Sequence, residues 1–165
     1  MPFRRLSAVI LACGLLVVAC AAPAAAQSEG DEHAAAKEKA RAAAQSWLDR
    51  TDATEFGASW DAAAALLQDR IERADWVQQA EALRDTVKAV SDRALAMTQY
   101  RDSLRSTPGH GPFVLLKYRS TFEAGRFDEL LLTVREDTTW KVAGYQVTPL
   151  RRPPARSSAP APSNP

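Results

Sequence analysis

Asparagine occurs once in this 165-residue chain, at Asn164, and histidine twice, at His33 and His110. So small a supply of imidazole excludes a multi-histidine metal centre. No Asp/Glu cluster falls at ligand spacing either. Asp69, Glu72 and Asp75 stand three apart, but they bracket a helix start, where acidic residues favour the macrodipole. An excess of one charge is also missing, with 21 Lys+Arg against 20 Asp+Glu and a formal net charge of +1. A nucleic-acid binder carries a clear basic surplus, so nucleic acid is not an expected partner. No Gly-x-Ser-x-Gly, Ser-x-x-Lys or glycine-rich phosphate loop occurs, which leaves serine hydrolysis and nucleotide binding without a motif. No cofactor is expected. Hydrophobic residues make up 46% of the chain, but 32 of them are alanines, each of which buries little area.

The two cysteines, Cys13 and Cys20, belong to an N-terminal segment that reads as an export signal. Arg4 and Arg5 form its positive start. Leu6 to Ala19 is apolar apart from Ser7, Cys13 and Gly14, and Ala24-Ala25-Ala26 offers small residues before Gln27. The apolar stretch is shorter than the roughly 20 residues a helix needs to span a bilayer, and an Ala-x-Ala site suits signal-peptidase cleavage. Cleavage after Ala26 releases a soluble periplasmic or secreted protein without cysteine. Alternatively, Val17-Val18-Ala19-Cys20 fits a lipobox, in which Cys20 is acylated and tethers the protein to the membrane. A membrane contact is expected only in that case. The soluble product has no thiol for a nucleophile, a zinc site or a redox pair. Loss of Arg4 and Arg5 leaves 19 basic against 20 acidic residues, a net of −1.

Residues 27–33 are polar and expected to be flexible. From His33 to Arg50, Ala36, Ala40, Ala43 and Trp47 recur at helical spacing. Asp52-Ala-Thr-Glu55 resembles a capping box. Behind it a second helix is expected over about 53–68, with Phe56, Trp60, Ala63 and Leu67 on one stripe. A third is expected from about 72 to 90, with Trp76, Ala80, Leu83, Val87 and Val90 on one face. A strand follows over Ala94–Tyr100, then a turn-rich loop, Ser106 to Pro112. Phe113–Phe122 alternates as a strand with Val114, Leu116, Tyr118 and Phe122 on one face. Ala124-Gly125-Arg126 is the expected hairpin turn, and residues 127–136 form a strand aligning Leu130, Leu132 and Val134. Glu136 to Thr139 turns the chain into a last strand, Trp140–Thr148. Six of the ten prolines lie at or after Pro149, so 149–165 is expected to be a disordered tail.

Helices followed by strands imply an α+β domain over 34–148, with N-terminal helices packed on an antiparallel sheet of three to four strands. The four tryptophans, Trp47, Trp60, Trp76 and Trp140, are expected to meet in the core between them.

Several segments together resemble a bacterial family of exported proteins, domain of unknown function 4019. The carrying residues are Ser46-Trp47-Leu48-Asp49, Phe56-Gly-Ala-Ser59-Trp60 with Ala62 to Ala64, Trp76 with Arg84, and Ser91-Asp-Arg93-Ala-Leu95. Pro108-Gly-His-Gly111-Pro-Phe113-Val114, Tyr118-Arg-Ser-Thr121-Phe122 and Trp140-Lys-Val-Ala-Gly-Tyr145 complete the set. The chain departs from the family pattern at Asp137-Thr138-Thr139, where an acidic residue followed by Gly is usual. The resemblance implies a cystatin-like or nuclear-transport-factor-2-like cone, in which helices wrap a curved antiparallel sheet. It assigns no activity. In such a cone Arg84 and Arg93 face the open end and can bind an anionic ligand group; the alternative is that they snorkel or pair with Asp85, Asp92 or Glu81. Tyr118 and Tyr145 line the same pocket or pack in the core. His33 and His110 are expected to be solvated.

The expectation is therefore a non-enzymatic envelope module that binds a small ligand or an envelope protein. Its rivals are an enzyme using a carboxylate or His110 inside the cone, and an accessory lipoprotein tethered through Cys20. A homodimer through the outer sheet face is an option in folds of this kind.

Overall fold

A computed structural model describes residues 24–105, 107 and 111–150. The apolar run Leu6–Ala19 expected to act in export, Cys13, Cys20, His110 and the segment after Leu150 lie outside the described residues.

The first helix, α1, runs from Ala24 to Asp52. It includes residues 27–33, expected to be flexible, because alanine on both sides has the highest helix propensity. His33, rather than being free in solvent, stacks on Tyr100 with ring centroids 4.0 Å apart. The helix presents Ala40, Ala44, Trp47 and Leu48 to the core, all buried. Small alanines let the backbone approach the sheet, and Trp47 fills the space beyond them.

The end of α1 corrects the expected capping box. Glu55 N–H donates to Arg50 O at 2.8 Å and Thr54 N–H to Thr51 O at 3.2 Å, around Thr54 at φ 62°. That is a Schellman closure with Thr54 in the left-handed position. Asp52 thus belongs to the last turn of α1, not to the start of the next helix, and Glu55 makes no side-chain cap bond.

The expected second helix is two short ones, α2 (Phe56–Asp61) and α3 (Ala65–Gln68). Between them Ala64 adopts an extended conformation, and its N–H donates to Val142 O at 2.9 Å, on the edge strand of the sheet. The next N–H, of Ala65, donates to Glu136 Oε1 at 2.7 Å. An edge strand offers unpaired carbonyls, and this long-range bond replaces helix continuity. Helix α4 spans Arg73–Val87 and ends at Lys88, φ 67°.

Four strands follow: β1 (Val90–Arg101), β2 (Phe113–Phe122), β3 (Gly125–Glu136) and β4 (Thr139–Pro149). They form one antiparallel sheet in the order β1-β2-β3-β4. The β2–β3 turn is Glu123-Ala124, one residue earlier than expected, since Phe122 pairs with Gly125. At the β3–β4 turn Asp137 itself takes φ 52°, the conformation glycine supplies at low cost elsewhere.

The α1-facing core unites Ala40, Ala44, Trp47 and Leu48 with Val114, Leu116, Tyr118, Leu131, Trp140 and Val142. Leu131, not Leu130 or Leu132, is the β3 leucine in it. Leu132 and Val134 face the opposite side, with Phe113, Ala143, Ala64 and Leu66. Trp76 packs 5.6 Å from Trp47. Trp60 stands apart, donating Nε1–H to Ile71 O at 2.9 Å. Three of the four tryptophans therefore meet.

Candidate functional site

The inward face of β3 reads Glu129, Leu131, Thr133, and all three are buried. Thr133 settles its hydroxyl locally, donating to Val114 O at 2.9 Å. Glu129 cannot, because a carboxylate at 0% exposure needs several donors. The sheet register supplies them. Arg93 on β1 lies opposite Ser120 on β2, Tyr118 lies opposite Glu129, and Leu131 lies opposite Tyr145 on β4. Arg93, Ser120, Glu129 and Tyr145, one from each strand, thus lie on a diagonal across one face of the sheet.

Arg93 grips Glu129 with two nitrogens, Nε to Oε2 at 2.6 Å and Nη2 to Oε1 at 3.2 Å. Tyr145 donates its hydroxyl to Oε1 at 2.6 Å, and Ser120 donates to Oε2. The other side of the Arg93 fork meets Asp52 from α1, Nη1 to Oδ2 at 2.7 Å and Nη2 to Oδ1 at 3.2 Å. Asp52 also accepts from Arg84 Nη2 of α4 at 3.0 Å. Arg84 continues to Thr51 O at 2.9 Å and Lys88 O at 3.1 Å, while its guanidinium lies 5.9 Å from the centre of the Phe122 ring. Planar bidentate pairing of this kind is strong and geometrically specific. Two cations meet two carboxylates, so the cluster is formally neutral.

The surroundings fix where the protons sit. Burial opposes the charge of Asp52, but the hydrogen bonds and charges of Arg93 and Arg84 outweigh it and hold the carboxyl below its ordinary range. Burial likewise works against Arg93, and Asp52 and Glu129 overcome it, so the guanidinium is more basic than usual. Burial, followed by the charge and hydrogen bond of Glu129, pushes Tyr145 well above the ordinary phenol value. Burial also raises Tyr118, whose hydroxyl has no hydrogen-bond partner among the described residues.

The four residues singled out in the sequence thus lie around one network but border two different depressions. Arg84 and Tyr145 line an apolar cleft of about 270 Å³ between α4 and the sheet, with Phe56, Trp76, Leu83 and Phe122. Arg93 and Tyr118 border an open recess of about 430 Å³ beside Arg41, Gln45 and Leu95. Pairing of the two arginines was the expected alternative to ligand contact, but with Asp85, Asp92 or Glu81. The partners are instead Asp52 and Glu129, 32 and 36 residues away in sequence. Sequence reasoning missed both carboxylates and Ser120. Asp52 resembled a helix cap, and the alignment of Leu130, Leu132 and Val134 on one face of β3 gave no hint that Glu129, on the other, is buried. Two arginines on apolar elements were themselves a signal, since buried guanidinium groups require carboxylates.

Among the described residues no group of three His, Cys, Asp or Glu side chains is placed to hold a metal ion, and no helix is long and apolar enough to cross a membrane.

The family model described as protein of unknown function (DUF4019) matches residues 43–145. That span holds Asp52, Arg84, Arg93, Ser120, Glu129 and Tyr145, and nearly all of the four-stranded sheet. No curated protein matches the sequence. With more than half of its length matched by the family model, the chain belongs to the DUF4019 family.

Proposed function

We propose that the protein is an exported cell-envelope module that binds a small ligand in the cleft between α4 and the sheet, without catalysing a reaction on it. The observation that carries this reading is the cleft itself. It is mostly apolar, its volume is about 270 Å³, and it is walled by side chains from α2, α4, β2 and β4. Ligand sites are concave and apolar with a few placed polar groups, and here Arg84, Thr51, Gln79 and Gln146 are the polar members.

The state of the neighbouring network supports binding over catalysis. An efficient general acid or base titrates near the working pH. Asp52 is held ionised, while Arg93 and Tyr145 are held protonated, each driven away from neutrality. Export rests on Arg4-Arg5, the apolar run after them and the Ala24–Ala26 site, with Cys20 lipidation as the alternative route. Mass spectrometry of the mature N-terminus separates the two: a free Gln27 removes the tether, and an acylated Cys20 establishes it.

Binding is tested by heteronuclear NMR of the mature protein against a library of small ring compounds. Shifts clustered at Ala80, Leu83, Val87 and Val147 support the reading. The Ala80→Trp variant fills the cleft and is expected to abolish them while retaining a cooperative melt. No compound shifting these residues, or an undiminished response in Ala80→Trp, overturns it.

A further inference from the structure

We infer that the cleft selects a small uncharged aromatic compound carrying a hydrogen-bond acceptor, with Arg84 as the orienting donor. This deepens the proposed function and rests on it.

Size comes first. The cleft has a volume of about 270 Å³. It sits just below the 300–1,000 Å³ or so typical of sites for drug-sized ligands. A single ring with one substituent is the fitting scale. The walls then favour a flat ring. Phe56 comes from α2, Trp76 from α4, Phe122 from β2 and Tyr145 from β4, so aromatic faces and edges converge from four elements. Offset and edge-to-face contacts with such rings add to simple area burial, and an aliphatic ring cannot make them equally well.

Charge decides the rest. Among the described residues no carboxylate lines the cleft, and Arg84 does, so an ammonium ligand meets no partner there and one cation opposes it. An anion does little better. The Arg84 charge is already met by Asp52 at 3.0 Å, and Arg93 is met by Asp52 and Glu129. A third carboxylate would enter a neutral, half-buried cluster beside two others, and would lose its hydration in doing so. A neutral acceptor breaks no ion pair. Arg84 has a donor for it: of five guanidinium N–H groups, three go to Lys88 O, Thr51 O and Asp52 Oδ1, leaving Nε–H and one Nη1–H without a partner among the described residues.

The test uses the mature protein and four matched probes: benzamide, benzoate, benzylamine and cyclohexanecarboxamide, titrated at neutral pH by NMR. Benzamide is expected to bind at least tenfold tighter than benzoate or benzylamine, and several-fold tighter than cyclohexanecarboxamide. Toluene, which has no acceptor, measures the contribution of Arg84. Benzamide is expected to exceed it by about fivefold, and Arg84→Met is expected to collapse that ratio to near one. Benzoate binding as tightly as benzamide overturns the uncharged class while leaving the binding module intact. Equal affinity for benzamide and toluene in the unaltered protein overturns the orienting role, even if Arg84→Met fails to fold. No cleft shifts from any of the five, when larger ring compounds do shift it, overturns the size assignment. Cleft residues that respond to nothing remove the binding module itself.

Discussion

Replacing Arg93 by methionine isolates the central contact of the domain. The thioether keeps most of the length of the arginine stem but removes four hydrogen bonds, two to Glu129 and two to Asp52. The two carboxylates then fare differently. Asp52, with 23% of its side chain exposed, keeps Arg84 at 3.0 Å. Glu129 has 0% exposed and keeps only the hydroxyls of Tyr145 and Ser120. Removing one partner of a buried pair costs about 3–5 kcal/mol, most of it from the charge left behind. Because Asp52 retains a cation, the lower end applies, about 3 kcal/mol. For a folded region of this size each kcal/mol moves Tm by about 4 °C, so a fall of about 12 °C is expected. Thermal unfolding followed by tryptophan fluorescence measures the fall and urea unfolding the free-energy cost, since Trp47 and Trp76 report on the core beside the network. The reasoning further requires that R93M/E129Q be more stable than R93M alone. The amide removes the stranded charge yet still accepts from Tyr145 and Ser120. A coupling of at least about 1 kcal/mol is expected for residues in direct contact. An R93M cost below about 1 kcal/mol, the range of exposed pairs, or strictly additive single changes, would refute the account.

Three more outcomes follow from the packing and the protonation states. Ser59 is buried; its carbonyl accepts Trp47 Nε1–H at 2.7 Å and its hydroxyl accepts Trp76 Nε1–H at 3.0 Å. Because Trp76 Nε1–H keeps Phe56 O at 3.1 Å, Ser59→Ala should cost about 0.5–1.5 kcal/mol in urea unfolding and shift the Trp76 emission, whereas an unchanged midpoint would count against the bond. The inward parity of β3 predicts that Leu131→Ala costs about 2–5 kcal/mol and Leu130→Ala clearly less, with the reverse order showing the face to be wrong. For pH, the folded-state carboxyl of Asp52 is held below its ordinary value. Its stabilisation is complete above the unfolded pKa of about 4 and is lost as pH falls below it towards the lower folded value. Asp52→Asn should be less stable at neutral pH and should lose less on acidification, as read by the midpoint of urea unfolding at a series of pH values.

Local chemistry carried much of the fold. Strand β2 occupies Phe113–Phe122 as its alternation predicts, because both of its neighbours are adjacent in sequence and no bulge shifts its pairing with β3. The α4 stripe also holds for Ala80, Leu83 and Val87, though the helix stops at Val87, where Lys88 takes a positive φ, and does not reach Val90. The failures share a cause: each depends on a partner far along the chain. The second helix breaks where Ala64 finds Val142, 78 residues on. Leu130, Leu132 and Val134 align as expected, but nothing local marks Glu129 on the other face as buried, since polarity within a strand ordinarily marks the solvent side; Arg93, Ser120 and Tyr145 on the other strands make its burial tolerable. Asp52 looked like a cap because the Schellman closure beyond it depends on Thr54 entering a conformation that no local pattern announces. Arg84, Arg93, Tyr118 and Tyr145 were nevertheless visible, as large polar-tipped side chains on otherwise apolar faces.

The network and the cleft depend on each other. Helix α4 packs chiefly on α2, and the cleft occupies the space between α4 and the sheet. Across that gap Arg84 ties α4 to Thr51 and Asp52 at the end of α1, and Asp52 ties on through Arg93 to Glu129 in the sheet. Apolar side chains alone would favour collapse of α4 onto Phe122 and Val147, since closure buries more area. Collapse must move Arg84, and moving Arg84 leaves Asp52 short of a donor in a partly buried position, which costs more than a methylene or two of extra burial returns. The ion pairs therefore act as a spacer of fixed length. Their mutual neutralisation leaves a formally neutral cluster beside the cleft.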